Sequence, residues 1–283
     1  MNAVKQPQVV HTRTDLQAAL SKLSGRRALV MTMGALHAGH LELVRQAHQH
    51  GDHVVVTIFV NPTQFAPGED FDAYPRTLEA DVAALATVGA DLVYAPAVEE
   101  VYPHGPARVT IDPGPTAKVL EGATRPTHFA GVCLVVNKVF NLVAPQVAMF
   151  GRKDAQQLAI IRQMVRDLDM PIEIVGVDIV RDEDGLALSS RNAYLSADER
   201  SRALVLSRAL RSGAQLAAEG ASAEQVVGSV RQVINSQPGV ELDYVALVDP
   251  VDFTAATHGA AVLAVAAKVG STRLIDNAEV DLQ

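Results

Sequence analysis

Two nearly unbroken apolar runs, RRALVMTM (26–33) and HVVVTIFV (53–60), flank LELVRQAHQH (41–50), where Leu41, Val44 and His48 share one stripe with Leu43 and Ala47 alongside. Runs without alternation fit strands covered on both faces, and the three-to-four spacing fits an amphipathic helix that Gly51 stops. Strand, helix, strand in that order is a right-handed crossover, so the two strands are parallel. TLEADVAALATVGAD (77–91) repeats the helical pattern through Leu78, Val82 and Leu85, with Gly89 as its stop, and DLVYAP (91–96) reads as a third strand. GVCLVVNKVFNLV (131–143) predicts a mostly buried helix, QVAMFG (146–151) a strand, DAQQLAIIRQMVRDLD (154–169) a helix and IEIVGVDIV (172–180) another strand.

The pattern changes after RDEDGLALSSRN (181–192). Ser196 opens a helix with Asp198 and Glu199 in its first turn, running to Glu219, and 223–237 predicts a second. The stretches 241–250 and 260–280 read as strands joined by turns, the latter broken at VGSTR. The expected fold is therefore α/β: a Rossmann-like doubly wound parallel sheet over residues 1–182, then a smaller α+β C-terminal domain over 183–283. Segments 61–76 and 102–130 are rich in Pro and Gly and read as long loops, which in compact domains are usually functional.

Composition narrows the function classes. The 283 residues carry a formal net charge of −8 and only 4% aromatics, which disfavours a nucleic-acid partner and base-stacking platforms. A phosphate-bearing small molecule remains compatible, because a few local cations and backbone N–H groups hold it inside an acidic protein. No apolar run reaches the roughly 20 residues that span a bilayer. The N-terminal MNAVKQPQVVHTRTDL lacks the layout of a secretory signal. The single cysteine, Cys133, excludes an internal disulfide, so the expected address is the cytoplasm.

In a doubly wound sheet ligands bind beyond the carboxyl ends of the strands. Four such ends carry unusual polar sequence: GALHAGH after the first strand, NPTQF after the second, GRKDAQQ after 146–150 and RDEDGLALSSRN after 172–180. Gly34 and Gly39 let backbone approach a ligand closely, and a helix starting near Gly39 offers N–H groups to an anion. His37 and His40, three apart on the first turn, point at one ligand. Zinc is the competing reading of the pair, but no third ligand stands at metal-site spacing. No G-x-G-x-x-G follows the first strand, which argues against a dehydrogenase.

The string HAGH resembles the HIGH signature of the nucleotidyl-transferring superfamily that includes class I aminoacyl-tRNA synthetases. MGALHAGHLELVRQA, FVNPTQF, DAYPRT, RPTHFAGV, FGRKDAQQL and DGLALSSRN, in that order over roughly residues 30–195, resemble the pantoate–β-alanine ligase family; the C-terminal third matches only loosely. The resemblance implies that pantoate and ATP give pantoyl adenylate and pyrophosphate, after which β-alanine attacks to give pantothenate and AMP. It implies His40 as proton donor, with His37 and Lys153 as the other catalytic groups. It further implies ATP contacts along Met33, Gly34, Ala35, Leu36, His37, Ala38, Gly39 and His40. A second ATP-binding stretch is Gly151, Arg152, Lys153 and Asp154, and a third comprises Val180, Leu188, Ser189, Ser190 and Arg191, where the superfamily keeps a mobile phosphate loop. Gln64 and Gln157 are the implied pantoate contacts, with β-alanine beside Gln64. Magnesium is expected between the phosphates, and a homodimer is the implied assembly.

Several positions have two readings. Asp154 is either a helix N-cap or a ligand group, and ALSSRN is either a phosphate loop or an ordinary turn, with Asp184-Gly185 as a turn on which it closes. Phe65, Val132 and Val135 wall a dimethyl group or pack the core. Asp72, Asp81 and Arg125 touch substrate or metal or stand on the surface. Arg152 departs from the Glu or Gln usual in the family, which removes a carboxylate from that position. The alternatives to the ligase are a nucleotidyltransferase of the same fold that keeps the nucleotide in its product, and a non-catalytic nucleotide sensor.

Overall fold

The structure, a computed structural model, describes residues 5–283. Residues 1–4, which begin the expected first domain and the segment read for a secretory signal, lie outside the described residues. Two compact units are present: one comprises the chain up to Gly151 together with Ile160–Val177, the other Arg152–Ala159 and Asp178–Gln283. The second unit thus begins before residue 183 and takes in the start of one helix.

The first unit is built on a six-stranded sheet of β1 (Gln8–Val10), β2 (Arg27–Thr32), β3 (His53–Ile58), β4 (Leu92–Tyr94), β5 (Val147–Gly151) and β6 (Glu173–Val177). Its order is β1-β4-β3-β2-β5-β6 and every pairing is parallel. The helices of this part of the chain are α1 (Arg13–Leu20), α2 (Ala38–Ala47), α3 (Leu78–Thr87), α4 (Val98–Val101), α5 (Glu121–Thr124), α6 (His128–Val143) and α7 (Ala155–Asp167). Ala28, Leu29 and Val30 of β2 and Val54, Val55 and Val56 of β3 are all fully buried. Ala28, Val30, Val54 and Val56 pack with Leu43, Val44 and Ala47 of α2 and Leu85 of α3. On the other face Phe140 of α6 meets Phe150 of β5 edge-on at 6.5 Å. Burial on both faces explains the unbroken apolar runs, each Val or Leu side chain contributing about 1.5–3 kcal/mol.

Several elements differ from the sequence expectation. β1 and α1 have no counterpart in it, although Thr12 accepts from the backbone N–H of Asp15 as an N-cap should. The strand expected over 172–180 ends at Val177, because β5, its partner, ends with the Gly151–Val177 pair. Asp154 is not an N-cap: Arg152–Asp154 form a 3-10 turn that runs directly into α7. The expected loops contain 3-10 turns at Pro62–Gln64 and Pro115–Lys118 as well as α5, and α6 starts at His128.

The second unit holds α8 (Ala197–Ala218), α9 (Ala223–Asn235) and an antiparallel sheet β7-β8-β9 of Val240–Val248, Gly259–Val269 and Thr272–Leu282. Ser196 and Glu199 form the reciprocal cap that starts α8. Leu206 and Leu210 of α8, Val226, Val230 and Ile234 of α9, and Leu263 and Val265 of β8 form its core. The break at VGSTR is the tight turn between β8 and β9, where Gly270 takes φ +60°.

Candidate active site

The chain lays down β2, β3 and β4 outward in order, then returns to place β5 on the other side of β2. That reversal puts the ligand crevice of an open α/β sheet at the carboxyl ends of β2 and β5. Residues 33–40 follow β2, and Gly151 ends β5.

After Thr32 the backbone enters left-handed space at Gly34 (φ +87°) and Ala35 (φ +51°). A buried carboxylate holds this turn. Asp81 of α3, 3% exposed, accepts from the N–H groups of Ala35 at 3.1 Å and Leu36 at 2.8 Å, and from the Thr77 hydroxyl at 3.2 Å. A Cβ on Gly34 would lie 3.1 Å from the same carboxylate, so glycine permits both the φ and the close approach. Asp81 therefore anchors the HAGH turn and is buried, not on the surface.

His37 is the N-cap of α2. Its Nδ1 accepts from the Gly39 N–H at 3.2 Å, and Nδ1 of His40 accepts from the His37 N–H at 3.3 Å. The rings are 4.0 Å apart, centroid to centroid. An imidazole that accepts at Nδ1 carries its proton on Nε2, so both rings are donors there, at a helix end that already favours anions.

Gln64 closes the 3-10 turn after β3 and is 9% exposed. Its Oε1 accepts from Nδ2 of Asn61 at 3.1 Å, while its Nε2 lies 3.2 Å from Sδ of Met33. The side-chain amide is thus oriented with its N–H groups toward the residue that opens the HAGH turn. Asn61, 1% exposed, also accepts from the Tyr102 hydroxyl at 2.8 Å. The Gln64 carbonyl accepts from Nδ1 of His128 at 3.0 Å and from Nη2 of Arg125 at 3.3 Å. Arg125 forms a two-pronged pair with Glu69, at 2.8 and 2.6 Å. That guanidinium holds the Glu69 carboxyl below its ordinary range. Arg125 is thus a brace for the Gln64 turn, while Asp72 is exposed. Val132 and Val135 are 3% and 5% exposed within the core face of α6, and Phe65 stacks edge-on against Phe71 and Tyr74.

The sequence reading missed Asn61 and the anchoring role of Asp81. An Asn before Pro in FVNPTQF is a helix-start signature that marks Asn61 as a cap, and its Oδ1 does accept from the Thr63 N–H at 3.3 Å.

The second unit carries the remaining candidates. Lys153 stands in the 3-10 turn, its Nζ 3.8 Å from the Asp154 carboxylate. Arg152 is engaged by Glu279 and, at 3.2 Å, by Asp178. Gln157 is half-buried on the first turn of α7. Val180 and Leu188 are tied by a backbone bond of 3.0 Å, and Asp182-Glu183-Asp184-Gly185 makes the turn between them, with Gly185 at φ +94°. Arg200 of α8 clamps that turn through Asp182 at 2.5 Å and Asp184 at 2.6 Å. Ser189 caps a 3-10 turn over Ser190–Tyr194 by accepting from the Arg191 N–H. Among the described residues no three His, Cys, Asp or Glu side chains gather as a metal site, and no helix is long and apolar enough to cross a membrane.

Comparison with known proteins bears on the whole chain. The profile of the family described as Pantoate-beta-alanine ligase matches residues 8–279. The pantothenate synthetase of Thermobifida fusca is 52% identical over 99% of this chain and 98% of its own length. The crystal structure of pantothenate synthetase from Thermus thermophilus superposes with a TM-score of 0.92 at 47% identity, covering 97% of this chain and 99% of that one. The pantoate–β-alanine ligase of Francisella tularensis, solved with β,γ-ATP and β-alanine, gives 0.80 at 30% identity over 96% and 97%. With the family profile matching residues 8–279 and relatives matching along nearly their full length, the chain belongs to the pantoate–β-alanine ligase family.

Proposed function

We propose that this enzyme joins pantoate to β-alanine at the expense of ATP by way of pantoyl adenylate, releasing pyrophosphate and AMP. The observation that carries the reading is the paired histidines: both accept backbone N–H groups at Nδ1 and so present Nε2 donors at the start of α2. In the first step the pantoate carboxylate attacks the α-phosphorus, and negative charge grows on the phosphate oxygens. Donors fixed before the reaction stabilise that charge without reorganising. His40 and His37 act there, with backbone contacts along Met33, Gly34, Ala35, Leu36, Ala38 and Gly39. Lys153 supplies a compact cation, flanked by Gly151, Arg152 and Asp154. Ser189, Ser190 and Arg191 hold the β- and γ-phosphates, with Val180 and Leu188 beside the nucleotide.

Gln64, with its amide oriented by Asn61, donates to pantoate and lies beside the β-alanine site, and Gln157 makes the second pantoate contact. A hydroxyl read by fixed amides gives sharp rejection of acids lacking it. A magnesium ion bound with the nucleotide would neutralise phosphate charge and would need few ligands from the protein. A homodimer in the cytoplasm completes the reading.

Exchange of labelled pyrophosphate into ATP, with and without pantoate, tests it. Exchange should require pantoate, and His40→Ala or Lys153→Ala should lower it about a hundred- to a thousandfold while circular dichroism stays native. Pantoate-independent exchange, or AMP retained wholly in a nucleotide-containing product, overturns the proposal. Gln157→Ala should raise the pantoate requirement; an unchanged requirement removes that contact.

A further inference from the structure

The C-terminal strand β9 carries two adjacent buried polar residues, Asp276 and Asn277, each 4% exposed. Alternation puts them on opposite faces of the strand. Asp276 lies on the side of Leu274, which packs in the core of the second unit. There it makes a two-pronged pair with Arg181, at 2.6 and 3.0 Å. Asn277 lies on the other side, with Glu279 two residues further on.

Asn277 spends both of its amide N–H groups on one short segment. Nδ2 donates to the carbonyl of Arg152 at 3.0 Å and to the carbonyl of Lys153 at 2.9 Å. Glu279 engages the Arg152 side chain from the same face. The turn that carries Lys153 is thus fastened by its main chain to β9, at a point where β5 has ended and α7 has yet to begin. Asn277 thus ties two successive carbonyls of that turn to the C-terminal strand.

We propose that Asn277 is a positioning residue for the adenylation step, acting through the Lys153 main chain to fix where the ammonium meets phosphate. The proposal rests on the reading of Lys153 as the phosphate-binding cation. A lysine stem is flexible, so the charge is placed only as well as its Cα is. Shifts of about 1 Å in a group that stabilises transferring phosphate cost about a hundredfold in rate. The same strand fixes Arg181, at the start of the segment that leads to Ser189 and Arg191, so β9 fastens both candidate phosphate-binding segments of the second unit. The alternative role for Asn277 is to stabilise the fold alone. A loss of folded protein lowers every rate by one factor, whatever stands at 153.

A double-mutant cycle separates the two roles. Pantoate-dependent pyrophosphate exchange is measured for the wild type, Asn277→Ala, Lys153→Ala and the double variant, with circular dichroism and urea titration on each. Asn277→Ala should lower the maximal exchange rate about ten- to a hundredfold with little change in the KM for pantoate. In the Lys153→Ala background the same substitution should cost less than about threefold, because the group it positions is gone. Asn277→Ser, which keeps one donor, should fall between wild type and alanine, and it carries the test if Asn277→Ala does not fold. An equal loss in both backgrounds, or wild-type exchange in folded Asn277→Ala, overturns the positioning role while leaving Lys153 in place. Wild-type exchange in Lys153→Ala removes the lysine reading and this inference with it.

Discussion

Gly131 sits inside α6, where alanine is ordinarily the better residue by about 1 kcal/mol. Its surroundings reverse that preference. A Cβ at Gly131 would lie 2.5 Å from the Thr63 carbonyl carbon and 2.7 Å from the Gln64 nitrogen, inside contact with the main chain of the 3-10 turn. No rotamer change relieves a clash with backbone, so the helix and the turn must part by about 1 Å; overpacking of this kind costs about 1–3 kcal/mol. Set against the helix gain, Gly131→Ala should destabilise the protein by up to about 2 kcal/mol. Because the segment displaced is the one carrying Gln64, the pantoate requirement should worsen about a hundredfold as well. Gly228 in α9 is the matched control, since nothing lies within 4 Å of a Cβ placed there. Gly228→Ala should stabilise by about 0.5–1 kcal/mol. Urea midpoints at constant slope, with exchange measured against pantoate concentration, give both numbers for each variant. If Gly131→Ala proves as stable as Gly228→Ala, the close approach of α6 to the turn is wrong. If it is destabilised but uses pantoate normally, the Gln64 contact is wrong instead.

Three further outcomes follow from the geometry. Asp81→Asn, which loses the charge that two backbone N–H groups share, should cost about 1.5–3 kcal/mol and weaken ATP use; a urea midpoint within error of wild type would refute the anchor. Cys133 is fully buried, and burial pushes its thiol up to about 12, so a thiol reagent should label it only in denaturant; rapid labelling of native protein would contradict this. Arg125 depresses the Glu69 carboxyl, so that pair contributes stability above the unfolded-state carboxyl value near about pH 4.3 and loses it as pH falls through the lower folded value; the urea midpoint of wild type should exceed that of Glu69→Gln at neutral pH and the gap should close in acid, and a gap independent of pH would refute it.

The parallel sheet was legible because its strands are covered on both faces, as the fully buried Val54, Val55 and Val56 demonstrate. His37, His40 and Lys153 stand out as candidates because polar groups at strand ends interrupt that apolar pattern. Asp81 was not: a carboxylate in the first turn of a helix reads as an exposed partner of the helix dipole, and only the fold brings the turn after β2 against it. Asn277 escaped for a related reason, since its partners are carbonyl groups, which leave no trace in side-chain sequence. β1 escaped because three residues are too few to establish a period.

The strand order also sets a schedule for synthesis. β2 gains β3 soon after leaving the ribosome, but its other edge pairs with β5 and stays bare until Val147 has been translated. Throughout that interval the nascent chain exposes an apolar ribbon with an open row of amides, a template for another polypeptide. Early termination anywhere before residue 147 should therefore leave fragments that clump, and slow translation through the middle of the message should increase the demand for chaperones.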